Sequence, residues 1–152
     1  MLNFQYSILN CGILSTFPVL NNCHMNQQKI IKIGTIIYAL VIAFFGINHF
    51  LSGTGLQNTV PRFIPGGIFW VYITGVALIA AAIAILIGKY NYAAAIGIAI
   101  FLFTIVLTVH LPAVFGAPDP NAMRFPLTNL MKDTAMGAGA LIIAGLSRLK
   151  LA

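Results

Sequence analysis

Between Ile33 and Leu146 the chain carries four apolar stretches, each close to the length of a bilayer crossing, with almost no charge inside them. A hydrocarbon core about 30 Å thick needs roughly 20 apolar residues in a helix rising about 1.5 Å per residue. The stretches are 33–50, 67–87, 92–111 and 130–146, and the last is charged at its beginning by Lys132 and Asp133. The sequence therefore predicts an all-α protein, a transmembrane four-helix bundle. Composition points the same way, since 60% of the 152 residues are hydrophobic and 7% are charged. Eight Lys or Arg and two acids cannot cover the surface of a soluble domain, so a soluble enzyme is nearly excluded. The net charge of +6 is spread through apolar sequence and forms no patch, so no nucleic-acid partner is expected.

An even number of spans places both ends on one side. Lys29, Lys32, Lys89, Arg148 and Lys150 fall on that side without an acid, whereas Arg62, Arg124 and Lys132 share the other with Asp119 and Asp133. The positive-inside rule then gives an N-in/C-in orientation. Gly88-Lys89-Tyr90-Asn91 reads as a tight inner turn between antiparallel neighbours, while the two outer loops are longer and rich in Pro and Gly. Residues 1–28 read as a poorly structured leader ahead of a membrane domain over 29–150. The sequence from Met25 resembles a short basic cytoplasmic tail, and translation is expected to start there. Cys11 and Cys23 both lie in this leader, which leaves no thiol for redox chemistry in the bundle.

Small residues four apart let helix backbones approach closely in lipid, where apolar side chains gain little by leaving the hydrocarbon. Ala77/Ala81, Ala80/Ala84, Ala93/Gly97, Ala95/Ala99 and Ala140/Ala144 have that spacing and predict a compact bundle with no wide pore. The outer ends carry an internal echo. Asn48-His49-Phe50 closes the first span and is followed by Arg62-Phe63-Ile64-Pro65; His110-Leu111-Pro112 closes the third and is followed by Arg124-Phe125-Pro126. A true repeat would gather two His and two Arg at the outer mouth, whereas a chance match would leave them apart. Both readings stay open.

A lone His at the boundary between hydrocarbon and headgroups, as His49 and His110 are, is more often a snorkelling or hydrogen-bonded structural residue. The alternative is a group that grips a quinone carbonyl or relays a proton. Haem ligation and metal binding lack the motifs they need. Asp133 is the single acid within a predicted span, and an unpartnered charge there costs several kcal/mol, on the order of 3 or more. Adjacent helical residues diverge by about 100°, so Lys132 is a poor partner for it, and Arg62 or Arg124 from an outer loop is expected to supply the cation. Asp119, between Pro118 and Pro120, reads as a turn residue.

Gly46-Ile47-Asn48-His49-Phe50, the Pro-Arg-Phe-Ile-Pro loop, Trp70 and Gly75, His110 with Pro112, and Asn129-Leu130-Met131-Lys132-Asp133 with Gly137 and Gly139 together resemble the DoxX family of four-helix membrane proteins. The resemblance covers about residues 29–150. It implies a multi-pass protein of the bacterial cytoplasmic (inner) membrane, and a family named for the small subunit of a thiosulfate:quinone oxidoreductase. His49, His110 and Asp133 are the family-like polar positions. Three functions follow as expectations. The first is a quinone-linked redox subunit with a polar outer site of His49, His110, Asp133, Arg62, Arg124 and Asn48, no built-in cofactor, and a quinone as diffusible partner. The second is a non-catalytic subunit or scaffold for another protein or for further copies of itself. The third is transport of a small solute or protons. No Gly-rich phosphate loop and no nucleophile-base arrangement is present, so catalysis by this chain alone would rest on a diffusible cofactor.

Overall fold

The computed structural model describes residues 18–60 and 65–149. All regular structure among them is helical: α1 Pro18–Leu51, a short α2 Gly53–Leu56 followed by a 3-10 turn Gln57–Thr59, α3 Gly67–Ile87, α4 Asn91–Ile105, a π-helical turn Val106–His110, α5 Leu111–Phe115, and α6 Pro120–Leu149. The chain forms two packing units, Met1–Ile36 and Ile37–Ala152. The described part of the first is helical from Pro18, so that stretch of the expected leader is not unstructured; residues 1–17, Cys11 among them, lie outside the described residues. Its Thr35 hydroxyl donates to the Ile31 carbonyl at 2.8 Å.

The second unit is apolar inside and out. Its interior packs small residues, Ala39, Ala82, Ala95, Ala99, Ala140 and Ala144, with larger aliphatic ones such as Ile42, Leu78, Ile98 and Leu102. Phe44, Val76, Ile100, Leu107 and Ile142 are exposed along the outside. An apolar exterior of this extent belongs against lipid. Three segments are long and apolar enough to cross a membrane, Gln27–Leu51, Gly67–Ile87 and Asn91–Phe115, and the chain is a multi-pass membrane protein. The expected fourth span, 130–146, lies inside α6, which begins ten residues earlier and carries Arg124, Lys132, Asp133 and Arg148. Those charges and its glycines dilute its apolar character.

Helix ends follow local rules. Gly66 and Gly88 bracket α3 at φ 85° and 82°, the left-handed region that glycine enters without a Cβ penalty. The Gly88 amide closes the helix on the carbonyls of Ala84 and Ile85. Asp119 opens α6, its Oδ1 accepting from the amides of Asn121 at 2.8 Å and Ala122 at 3.0 Å, with Pro120 as the first helical residue. The third long segment does not stop at Leu111 as the proline suggested. Pro112 has no amide to give Thr108, and the Leu111 amide instead reaches back five residues to Val106, which widens the helix by one turn of π geometry and lets it continue to Phe115.

Packing within this unit is antiparallel in sequence order. Gly46 of α1 meets Gly75 of α3 so closely that a Cβ on either would lie 3.0 Å from the other's carbonyl oxygen. Gly137 of α6 lies under the Phe103 ring of α4, and Gly139 under the Tyr38 ring of α1. The Tyr38 hydroxyl donates to the Met136 carbonyl at 2.8 Å, tying α1 to α6. The most extensive helix pair is α4 with α6, where Ala95 and Ala99 are buried with Ala140 and Ala144. Two of the small-residue pairs named from the sequence, Ala95/Ala99 and Ala140/Ala144, thus lie in the interior. Ala77, Ala81 and Gly97 instead line an open groove between α3 and α4.

Candidate functional site

The π turn sets His110 facing α6. A helix that keeps one hydrogen-bond register carries its faces forward at about 100° per residue, and one extra residue in a turn resets that phase. Past Val106 the face presented to α6 therefore differs from the one an unbroken α-helix would present. His110 is 8% exposed and its Nε2 lies 2.9 Å from Oδ2 of Asp133, also 8% exposed. A carboxylate only accepts, so Nε2 carries the proton and donates. Nδ1, the other ring nitrogen, is then left with its lone pair, and it has no hydrogen-bond partner among the described residues.

The second carboxylate oxygen is also engaged. The Lys132 ammonium sits 3.5 Å from Asp133 Oδ1, donates to Asn129 Oδ1 at 3.2 Å, and lies 4.5 Å from the centre of the Phe45 ring. Asn129 precedes Lys132 by one helical turn, which brings the two side chains to one face. Phe45 comes from α1, and a cation over an aromatic face is attracted by the ring quadrupole. The result is a node built from three helices: imidazole from the π turn, carboxylate, ammonium and amide from α6, and an aromatic floor from α1.

This arrangement corrects the pairing expected for Arg124. Among the described residues the cation beside Asp133 is Lys132. The divergence of adjacent residues applies to their Cβ directions, and four methylenes allow the ammonium to swing back. Arg124 is exposed on the first turns of α6 and makes no ion pair among the described residues. Arg62 lies outside the described residues. His49 is half-buried and donates from Nδ1 to its own helix at the Phe45 carbonyl, 2.7 Å away, with its Cβ against Gly75. Asn48 Oδ1 accepts from the Ser52 hydroxyl at 3.3 Å where α1 ends. The two histidines are therefore not hydrogen-bonded to each other or to a common group. Phe45 touches both neighbourhoods, its carbonyl receiving His49 and its ring receiving Lys132.

The two hairpins also close differently. In the second, His110 meets Asp133. In the first, Phe50 stacks on Tyr72 at 5.6 Å between ring centres, and Gly75 fits beneath Phe50 and His49. A hydrogen bond between imidazole and carboxyl thus stands where the earlier hairpin has an aromatic closure. Lys132, Asn129 and Phe45 were missed as members of the site. The three-residue spacing of Asn129 and Lys132 was a signal for the first two, but nothing in the sequence places Phe45 there.

No group of three or more His, Cys, Asp or Glu capable of holding a metal occurs among the described residues. Comparison with curated proteins yields no match, and comparison with solved structures yields none. A family described as Domain of unknown function (DUF8561) matches residues 38–133, a stretch that opens at Tyr38 and ends on Asp133. It takes in both His49 and His110 and covers more than half of the chain, and the protein therefore belongs to the DUF8561 family.

Proposed function

We propose that this protein is a four-span, N-in/C-in protein of the bacterial inner membrane that binds the ring of a membrane quinone at His110, as the quinone-linked subunit of a redox system. The observation that carries the reading is the buried His110–Asp133 pair at 2.9 Å with His110 Nδ1 unpartnered among the described residues. Asp133, with Lys132 on its other oxygen, fixes the ring's tautomer and orientation and would stabilise the imidazolium formed when Nδ1 takes up a proton. A quinol hydroxyl is the complementary donor for that lone pair, and the protonated ring would in turn donate to a quinone carbonyl. The diffusible cofactor supplies the electron chemistry; this chain supplies a fixed base in an apolar setting. The DoxX-like motifs support the same reading, as does the clustering of Lys89 and Arg148 at the opposite end of the helices. His49, Asn48 and Arg124 are not part of this proposed seat.

A second reading, a non-catalytic membrane subunit, is favoured by one observation: both oxygens of Asp133 are satisfied within the chain, as a structural clamp would require.

Native mass spectrometry of the gently solubilised protein separates the two. A stoichiometric quinone is expected on the wild type and absent from His110→Ala, with helicity unchanged. Asp133→Asn, which keeps the size of the side chain, is expected to weaken retention by roughly tenfold or more, the loss of one charge-assisted hydrogen bond. Equal quinone occupancy in wild type and His110→Ala would overturn the site. A stoichiometric polypeptide without quinone would favour the subunit reading.

A further inference from the structure

The end of the second unit opposite the His110 node holds two cations and an open groove that no part of the proposed redox role uses. Arg148, in the last turn of α6, lies 4.1 Å from the centre of the Tyr92 ring. Lys89, in the turn between α3 and α4, lies 5.6 Å from that of Tyr90. The two cations therefore flank Asn91, where α4 begins. Tyr90 provides no side-chain cap there, and the first intrahelical amide is that of Ala94, bonded to the Tyr90 carbonyl at 2.9 Å. The amides of Asn91, Tyr92 and Ala93 thus point outward without intrahelical partners. Neither acid can neutralise this end: Asp133 is fifteen residues before Arg148 on the same helix, about 22 Å away, and Asp119 is farther.

Apolar surface begins immediately beside these charges. Ile87 and Leu149 are 70% and 68% exposed next to Lys89 and Arg148. Three residues past Asn91 the groove between α3 and α4 opens, lined by Ala77, Ala81, Ala94, Gly97 and Phe101, with a volume of about 260 Å³. Nothing stands within 4 Å of where a Cβ on Gly97 would lie, so the groove is free along its floor. A soluble anion would use the charges and leave this slot untouched. A ligand whose anionic group is joined to a hydrocarbon chain fits both.

We propose that this end of the bundle binds an anionic phospholipid, with its phosphate held by Lys89, Arg148 and the free amides of the first turn of α4, and one acyl chain lying in the groove. Basic residues where helices meet the headgroup layer attract anionic lipid, and the groove adds van der Waals contact for the chain. The inference is independent of the quinone reading, since it shares no residue with the His110 node.

The test is lipid retention by native mass spectrometry after delipidation and exchange into phosphatidylglycerol or phosphatidylcholine with the same acyl chains. The wild type is expected to retain phosphatidylglycerol at least about tenfold better. Lys89→Gln with Arg148→Gln should abolish that preference. Gly97→Leu, whose Cβ enters open space and whose side chain extends into the groove, should lower retention of both lipids. Arg124→Gln removes the same charge about 36 Å along α6 and should change nothing. Equal retention of the two lipids, a preference that survives the double substitution, or an Arg124→Gln effect as large as that of Arg148→Gln would overturn the proposal. So would complete displacement of phosphatidylglycerol by millimolar inorganic phosphate, which would mark a site for soluble anions. Retention unchanged in Gly97→Leu would overturn the acyl slot.

Discussion

Asp133→Ala is expected to lower the unfolding free energy of the protein in lipid nanodiscs by about 2–4 kcal/mol. The substitution removes the acceptor that the described residues give the His110 Nε2 proton, and the counter-charge of Lys132, both in surroundings with little water. The two contacts do not weigh equally. Lys132 has a side chain 37% exposed and can turn toward the headgroups, so its pairing is worth no more than about 1 kcal/mol. His110 is held by packing and cannot follow water, so the larger share of the loss lies at the 2.9 Å bond. Lys132→Ala should accordingly cost about 1 kcal/mol. His110→Ala combined with Asp133→Ala should cost less than the sum of the single changes, by about 0.5–3 kcal/mol, the coupling expected of residues in direct contact. Additive losses, measured by reversible denaturation of all four proteins, would mean that the pair does not act as a unit.

The second large effect lies at the crossing of α1 and α3. A methyl group on Gly75 would stand 2.8 Å from the Phe50 ring and 3.0 Å from both the Gly46 carbonyl oxygen and the His49 Cβ. A ring edge can yield, but a helix carbonyl moves only if the helix moves. Gly75→Ala is therefore expected to destabilise by about 1–3 kcal/mol, and Gly75→Leu to prevent the two helices from seating. Gly97→Ala is the control. Its methyl enters the open groove, and the greater helix propensity of Ala makes the change neutral or stabilising by up to about 1 kcal/mol. Melting temperatures of the two Ala variants should move in opposite directions. Similar shifts would show that α1 and α3 do not depend on that close approach.

What was legible in the sequence follows from which physical rule each element obeys. The range of α3 was readable to the residue because glycines at 66 and 88 stop an uninterrupted apolar run on both sides. The turn at Lys89 and the role of Asp119 were equally local. His110 and Asp133 stood out because polar groups among apolar neighbours are costly, yet their pairing was not readable. It depends on the π turn, which shifts the phase of the helix after Val106, and Pro112 signalled an end to the segment where the structure has a widening instead. Lys132 was set aside by a rule about Cβ directions that a long flexible side chain escapes. The arginines were favoured because loops are free to reach, but freedom to reach does not make a contact, and Arg124 remains in the open. The length of α6 was underestimated because its first turns, Pro120 to Asn129, carry polar residues and Pro126, which suit a helix end outside the hydrocarbon as well as a loop.

With Asp133 as its acceptor, His110 should carry its proton on Nε2 and keep Nδ1 for a ligand. Nitrogen-15 NMR of histidine-labelled protein in bilayers, recorded with and without added quinol and assigned by comparison with His110→Gln, tests it directly. The expected result is a protonated Nε2 and an unprotonated Nδ1 at His110, with the Nδ1 resonance alone moving when quinol is added, and with the tautomer preference lost in Asp133→Asn. A proton on Nδ1 in the wild type, or His110 nitrogens indifferent to quinol, would contradict it.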